Sequence, residues 1–228
     1  MVNINAHVAA DNPRECRDFI IGHRRVLEIF DIANITSAKV DWAFSKNTVI
    51  LTIKSEGKLL GGARIQVADT ELDLPIQDAV RDLDPSIDNY ISNHSNNGGT
   101  GELCGLWNTR DAAKLGIGSI FLVRIGVAVS GFVGIESLFG LCAPSTVKVA
   151  SKGGFKIEDN LGNNGTFYYP KLDLLATAMK IPDLETLNYA DPKEKEIIFD
   201  LRKKPTQTKV EFSRMGNTNI NYDLRTIK

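Results

Sequence analysis

The chain has 228 residues, 43% of them hydrophobic, enough for a substantial core in one large domain or one domain with an extension. Its 27 basic and 28 acidic residues nearly cancel, which excludes a global field for nucleic acid or an anionic membrane, so any phosphate ligand is held locally. Cys16, Cys104 and Cys142 lie far apart and the three histidines are scattered, which argues for buried thiols in a reducing compartment and against a disulfide framework or a metal site. The opening run MVNINAHVAADNPRECR lacks the basic start and apolar core of a signal peptide, so the expected location is cytoplasmic.

In chain order, Asp11-Asn12-Pro13 is a helix start, and Phe19, Ile20, Val26, Leu27, Phe30 and Ile32 continue at helical spacing, with Gly22 as a break between two helices. Arg24 and Arg25 lie on the other face, either solvated or in contact with a ligand carboxylate or phosphate. From Asn47 the period changes: TVILTIKS, a turn at Glu56-Gly57, and LLGGARIQVAD read as an antiparallel hairpin. Gly61-Gly62 suggests a bulge or a close approach, and Arg64 in an otherwise apolar strand needs a structural carboxylate or a ligand anion. The polar stretch 74–100 reads as a loop carrying one short helix and ending in a flexible lead-in.

The stretch 101–118, GELCGLWNTRDAAKLGIG, carries the sharpest chemistry. Its strand places Glu102, Cys104 and Leu106 on one face and Leu103, Gly105 and Trp107 on the other, and it runs through a turn into a glycine-punctuated helix start. Such a start can turn open backbone N–H groups toward a phosphate; equally, its glycines can serve only tight packing. The apolar run 117–135 is about the length of a membrane span, but its glycines divide it into a buried helix and the beginning of a buried strand, so no membrane insertion is expected. Arg124 would snorkel to the surface from that helix. A strand over 135–142, a helix from Pro144 to Gly153-Gly154, and short strands at 155–158 and 165–170 follow, then short helices over 172–180 and near 191–204 and a hairpin at the end. The alternation of strand and helix gives an α/β (α+β) fold.

The GGAR hairpin, the apolar strand leading into LGIG, and the strand–helix–GGF unit together resemble the GNAT superfamily of acyl-CoA N-acyltransferases over about residues 19–170. The resemblance implies a mixed, mostly antiparallel central sheet flanked by helices as an acyltransferase domain over 1–180, with residues 181–228 as a C-terminal extension. It implies an acetyl-CoA or other acyl-CoA cosubstrate, its pyrophosphate on the N–H groups of Leu115, Gly116, Ile117, Gly118 and Ser119 with Lys114 in support, and its pantetheine along Leu106, Trp107 and Asn108. Glu102 is the implied base. Ala150 stands where the family often has its acid, a tyrosine, so Tyr168 or Tyr169 would serve, with Tyr168 the candidate. HRRVLEIF, GGARIQVAD and GEL are similar to the acyl-homoserine-lactone and N-acyl amino acid synthase branch, which implies Arg64 and Arg24 as substrate-binding, a small-molecule amine or amino acid acceptor, and an acyl carrier protein as an alternative donor. A non-catalytic acyl-CoA-binding domain is the remaining reading, and a monomer or a homodimer fits equally.

Overall fold

Turn chemistry decides the middle of the chain. In the computed structural model, which describes residues 1–32, 35–213 and 215–225, Thr48–Ser55 (β2) and Lys58–Val67 (β3) pair antiparallel. Glu56 and Gly57 join them at φ 50° and 76°, the left-handed pair of a two-residue hairpin turn. Val2–Val8 (β1) adds to the free edge of β2, and Thr100–Asn108 (β4) to that of β3. Ahead of β2, Pro13–Ile29 (α1) runs unbroken, with Cys16, Phe19, His23 and Leu27 buried against β3 and β4. Gly22 does not break it: the missing side chain makes room for the Trp107 ring.

Among the described residues ten strands form one sheet, mixed and mostly antiparallel with helices on both faces. Beyond β4 come Ser137–Cys142 (β5), the two-residue Lys156–Ile157 (β6), Thr166–Tyr168 (β7) and Leu175–Ile181 (β8); β5 lies parallel to β4, and β8 lies antiparallel to β5. The helix expected over 172–180 is therefore this strand. Ala176 and Ala178 pack on one face and Met179 and Ile181 on the other, so burial on both sides erases the two-residue period. The stretch 74–100 holds two helices, Pro75–Val80 (α2) and Ser86–Asn96 (α3), whose Ile76, Val80, Ile87 and Ile91 build a second core.

On the opposite face Ser119–Ser130 (α5) follows the short Arg110–Lys114 (α4) and is buried from Phe121 to Ser130; Pro144–Lys152 (α6) packs beside it. Arg124 does not snorkel. It is 5% exposed and forks onto Glu194 at 2.8 and 3.1 Å, with Glu211 at 3.4 Å. Those carboxylates come from Pro192–Lys203 (α7) and Thr206–Ser213 (β9). The closing hairpin adds Gly216–Asp223 (β10) parallel to β1, so the C-terminal residues extend the same sheet.

Candidate active site

The site begins where two parallel strands part. β4 and β5 pair only at Thr100–Glu102 against Ser137–Phe139, and past Glu102 the edge of β4 has left β5. Gly105, at φ +56°, lies in a bulge opposite Ala63. The extra residue reverses the alternation, which corrects the expected faces: Leu103 packs on Gly126 of α5, whereas Trp107 packs on Phe19 and Gly22 of α1. The fork opens into a cavity of about 440 Å³ lined by Val26, Leu27, Phe30, Leu106, Leu141 and Leu175, with Glu102 in its wall.

Glu102 is 2% exposed and accepts the Ile76 N–H at 2.7 Å. Burial pushes its carboxyl up to about 7, against the opposing pull of that hydrogen bond and of Arg64. A carboxyl poised there can exchange a proton at neutral pH. Cys104 is buried too, and burial pushes its thiol up to about 12; its Sγ lies 3.8 Å from the Arg64 carbonyl, so it is a poor nucleophile.

Arg64 is 1% exposed. Its Nη1 donates to the Ser37 carbonyl at 2.8 Å and its guanidinium lies 4.9 Å from the Trp42 ring centre, while Nε has no partner among the described residues. It lines a second, polar cavity of about 290 Å³ with Lys39, Asp41, Gln66, Asp73 and Asp78. Thr36 and Pro75 line both cavities. Between them the Thr36 hydroxyl donates to the Pro75 carbonyl at 2.9 Å, and the Tyr169 hydroxyl donates to Thr36 Oγ1 at 3.0 Å while accepting the Thr36 N–H at 2.7 Å.

At the far end of β4 the α5 start is held close, Asn108 Nδ2 reaching Ser119 Oγ at 3.5 Å. Gly116 takes φ +75°, and the N–H groups of Leu115, Gly116 and Ile117 donate back to Ala112 and Ala113 carbonyls. Gly118 caps α5 in extended conformation with no side-chain cap, so the open donors are Gly118, Ser119 and Ile120 at the positive end of the helix. Lys114 is exposed and paired with Asp111 at 2.7 Å.

Of the residues singled out in the sequence, Glu102 and Leu106 meet at the apolar cavity, with Arg64 in the polar one beside it. Tyr168 is 64% exposed on β7 and does not line the cavity; alternation places Tyr169 there instead. Arg24 is exposed on α1 beside Ser37 and Lys39, outside both cavities. The Trp107 side chain belongs to the α1 core, so only its backbone faces the strand edge. Ala150 is 4% exposed in the core under α6. Sequence reading missed Thr36, Pro75 and Ile76, which carry no motif and reach the site through contacts 26 to 39 residues apart.

No protein-family model matches the sequence, and a search of curated proteins finds no match. Solved structures do. An N-acyl amino acid synthase, FeeM, from uncultured soil microbes superposes at TM-score 0.56 with 13% identity, over 81% of this chain and 98% of that one. A putative acetyltransferase of the GNAT family from Desulfovibrio desulfuricans gives 0.50 with 11% identity, over 81% and 99%. The chain has the GNAT fold. The CoA-dependent acyl-homoserine lactone synthase BjaI, solved with MTA, shares that fold at TM-score 0.50 and 13% identity, over 90% of this chain and 92% of that one. Within this fold the parted β4–β5 edges frame the cavity holding Glu102, and the open α5 start lies beyond it at the far end of β4.

Proposed function

We propose that this chain is an N-acyltransferase that moves an acyl group from acyl-CoA to the amine of a small acceptor by direct attack on the thioester. The observation that carries the reading is the position of Glu102: a buried carboxyl at the strand fork, in the wall of an apolar cavity and beside a polar one. The pyrophosphate is assigned to the open N–H groups of Gly118, Ser119 and Ile120, and the pantetheine arm to the edge of β4 at Leu106–Asn108. The apolar lining supports an acyl chain longer than acetyl.

In this reading the proton leaving the acceptor nitrogen goes to Glu102 as the C–N bond forms. The oxyanion is held by a backbone N–H near Leu106 or Trp107; as it collapses the C–S bond breaks, and the departing thiolate takes up the proton from Glu102 through solvent to leave as the thiol, which returns Glu102 to its carboxylate. Positioning supplies most of the rate, with no covalent enzyme intermediate. The acceptor lies in the polar cavity, where Arg64 Nε, without a partner among the described residues, suits a carboxylate and Asp41 suits an ammonium, Asp78 being taken by Lys39 at 2.6 Å, so an amino acid is the acceptor class favoured.

The test is thermal shift and thiol release with acetyl-, octanoyl- and palmitoyl-CoA, against amino acids and simple amines. Stabilisation by a longer thioester with amine-dependent thiol release supports the reading. No stabilisation by any thioester overturns it, and stabilisation without turnover reduces the chain to a binding domain.

A further inference from the structure

Large apolar side chains ring the mouth of the apolar cavity and point outward. Ile29 is 71% exposed, Phe30 66% and Leu172 89%. They form one collar, because the Lys171–Asp31 ion pair at 2.6 Å ties the 170–174 turn to the end of α1, and Phe30, Leu174 and Leu175 also line the cavity. From Phe30 a groove of about 870 Å³ continues between α1 and the β2–β3 turn, floored by Ile21 and Ile29 and edged by Arg25, Lys58 and Arg110. Lys54 in this groove is taken by Glu15 at 2.6 Å, whereas Arg25, Lys58 and Arg110 make no ion pair among the described residues. Among the described residues Asp18 is the one acid lining the groove, and it lies 3.9 Å from Arg17; outside the lining, Asp111 feels the charge of Lys58 and Glu56 is exposed in the turn, and Glu28 and Asp173 are open acids near the collar.

We propose that this face docks on the surface of an anionic lipid bilayer, the collar entering the boundary between headgroups and acyl chains and the basic groove lying on the phosphates. The proposal rests on the acyltransferase reading. An N-acylated product is an amphiphile whose tail occupies the cavity, and the tail leaves past the collar, so docking lets it pass into lipid without exposure to water. Lipid also fits the shape better than a protein partner does. Ile29, Phe30 and Leu172 stand largely exposed at the ends of two elements, and a bilayer needs only protruding apolar groups at one depth, whereas a protein hot spot is anchored in a packed, desolvated pocket. With net charge near zero, the attraction comes from this local patch alone.

Flotation of the full chain with phosphatidylglycerol vesicles and with phosphatidylcholine vesicles tests it. The chain should float with phosphatidylglycerol, bind phosphatidylcholine at least roughly tenfold more weakly, and lose binding as salt rises. Ile29→Asp with Leu172→Asp, at exposed positions outside the cavity, should abolish flotation, and Arg25→Gln with Lys58→Gln should weaken it roughly twentyfold. Acyl-CoA thermal shifts should be the same in the Ile29→Asp, Leu172→Asp variant, whose residues lie away from β4, which separates failure of docking from failure of the acyltransferase reading. No flotation of the wild type on phosphatidylglycerol overturns the proposal, as does unchanged flotation of the Asp variant. A wild-type dimer that the Asp variant converts to a monomer would assign the collar to a second copy and overturn it as well.

Discussion

Glu102→Gln should make the protein less active and, above neutral pH, more stable. Glutamine keeps the volume of glutamate and an oxygen to accept the Ile76 N–H, but it takes up no proton. In the wild type burial moves the carboxyl from 4.5 to about 7, a gap worth roughly 3 kcal/mol of folding free energy. A carboxyl that titrates higher when folded contributes its full stability below the unfolded value of about 4.5 and loses it as pH rises through 7. Every other titrating group is common to both proteins, so the difference in unfolding free energy between variant and wild type isolates this one. It should turn toward the variant between pH 5 and 8 by up to roughly 3 kcal/mol, read by denaturant melts across that range. Turnover should fall roughly 100-fold or more, and the wild-type rise in rate through pH 7 should vanish, while acyl-CoA still stabilises the variant. Unchanged turnover would remove Glu102 as the base. A stability difference that stays flat with pH would refute the buried, raised carboxyl itself.

Ser119→Asp should split stability from binding: a carboxylate at the α5 start favours the helix by about 0.5 kcal/mol in denaturant melts but repels phosphate, weakening CoA at least roughly tenfold by titration. Gly22→Leu should lower stability by roughly 1–3 kcal/mol in the same melts, because even a Cβ there would lie 2.2 Å from the Trp107 ring, which is itself walled in by Phe19. Arg124→Met leaves Glu194 and Glu211 facing each other without a cation and should cost roughly 3–5 kcal/mol; adding Glu194→Leu should recover a large part of it.

The parts of this fold that were legible in the sequence are those whose signal is local. The β2–β3 hairpin follows from its turn residues, and the β4-to-α5 passage follows from an apolar strand meeting glycines; each needs only about twenty consecutive residues to be read. β8 was not legible because both of its faces are buried, leaving no alternation to separate strand from helix. α3 was not, because SNHSNN resembles a loop in composition and becomes helical through Ile87 and Ile91 packing under Phe139. The most consequential miss is one residue long. The bulge at Gly105 moves Trp107 to the α1 face, and strand alternation alone cannot foresee it. The same one-residue parity separates exposed Tyr168 from Tyr169 in the cavity wall. Glu102 was readable because an acid in an apolar strand is conspicuous; the short helix at Ile76 was readable too, but not that its first N–H would hold a carboxyl 26 residues away.

The C-terminal residues bear on the site although none of the described ones lines either cavity. α5 starts beside the end of β4, Asn108 Nδ2 reaching Ser119 Oγ, and its direction is fixed by contacts along its length. At its C-terminal end Arg202 of α7 donates to the carbonyls of Val127 and Ala128 at 2.9 and 3.4 Å and to Leu184 at 2.6 Å, placing a cation at the negative pole of the helix. Near its middle Arg124 is clamped between α7 and β9. Just ahead of its N-terminus the Thr218 hydroxyl of β10 donates to the Leu115 carbonyl at 2.8 Å, inside the turn that exposes Gly118 and Ser119. A helix on the sheet's apolar surface alone could slide or rotate, since α5 is apolar on nearly every side and has no polar face to set its register. The three polar contacts, from Arg202, from Glu194 and Glu211, and from Thr218, supply that register.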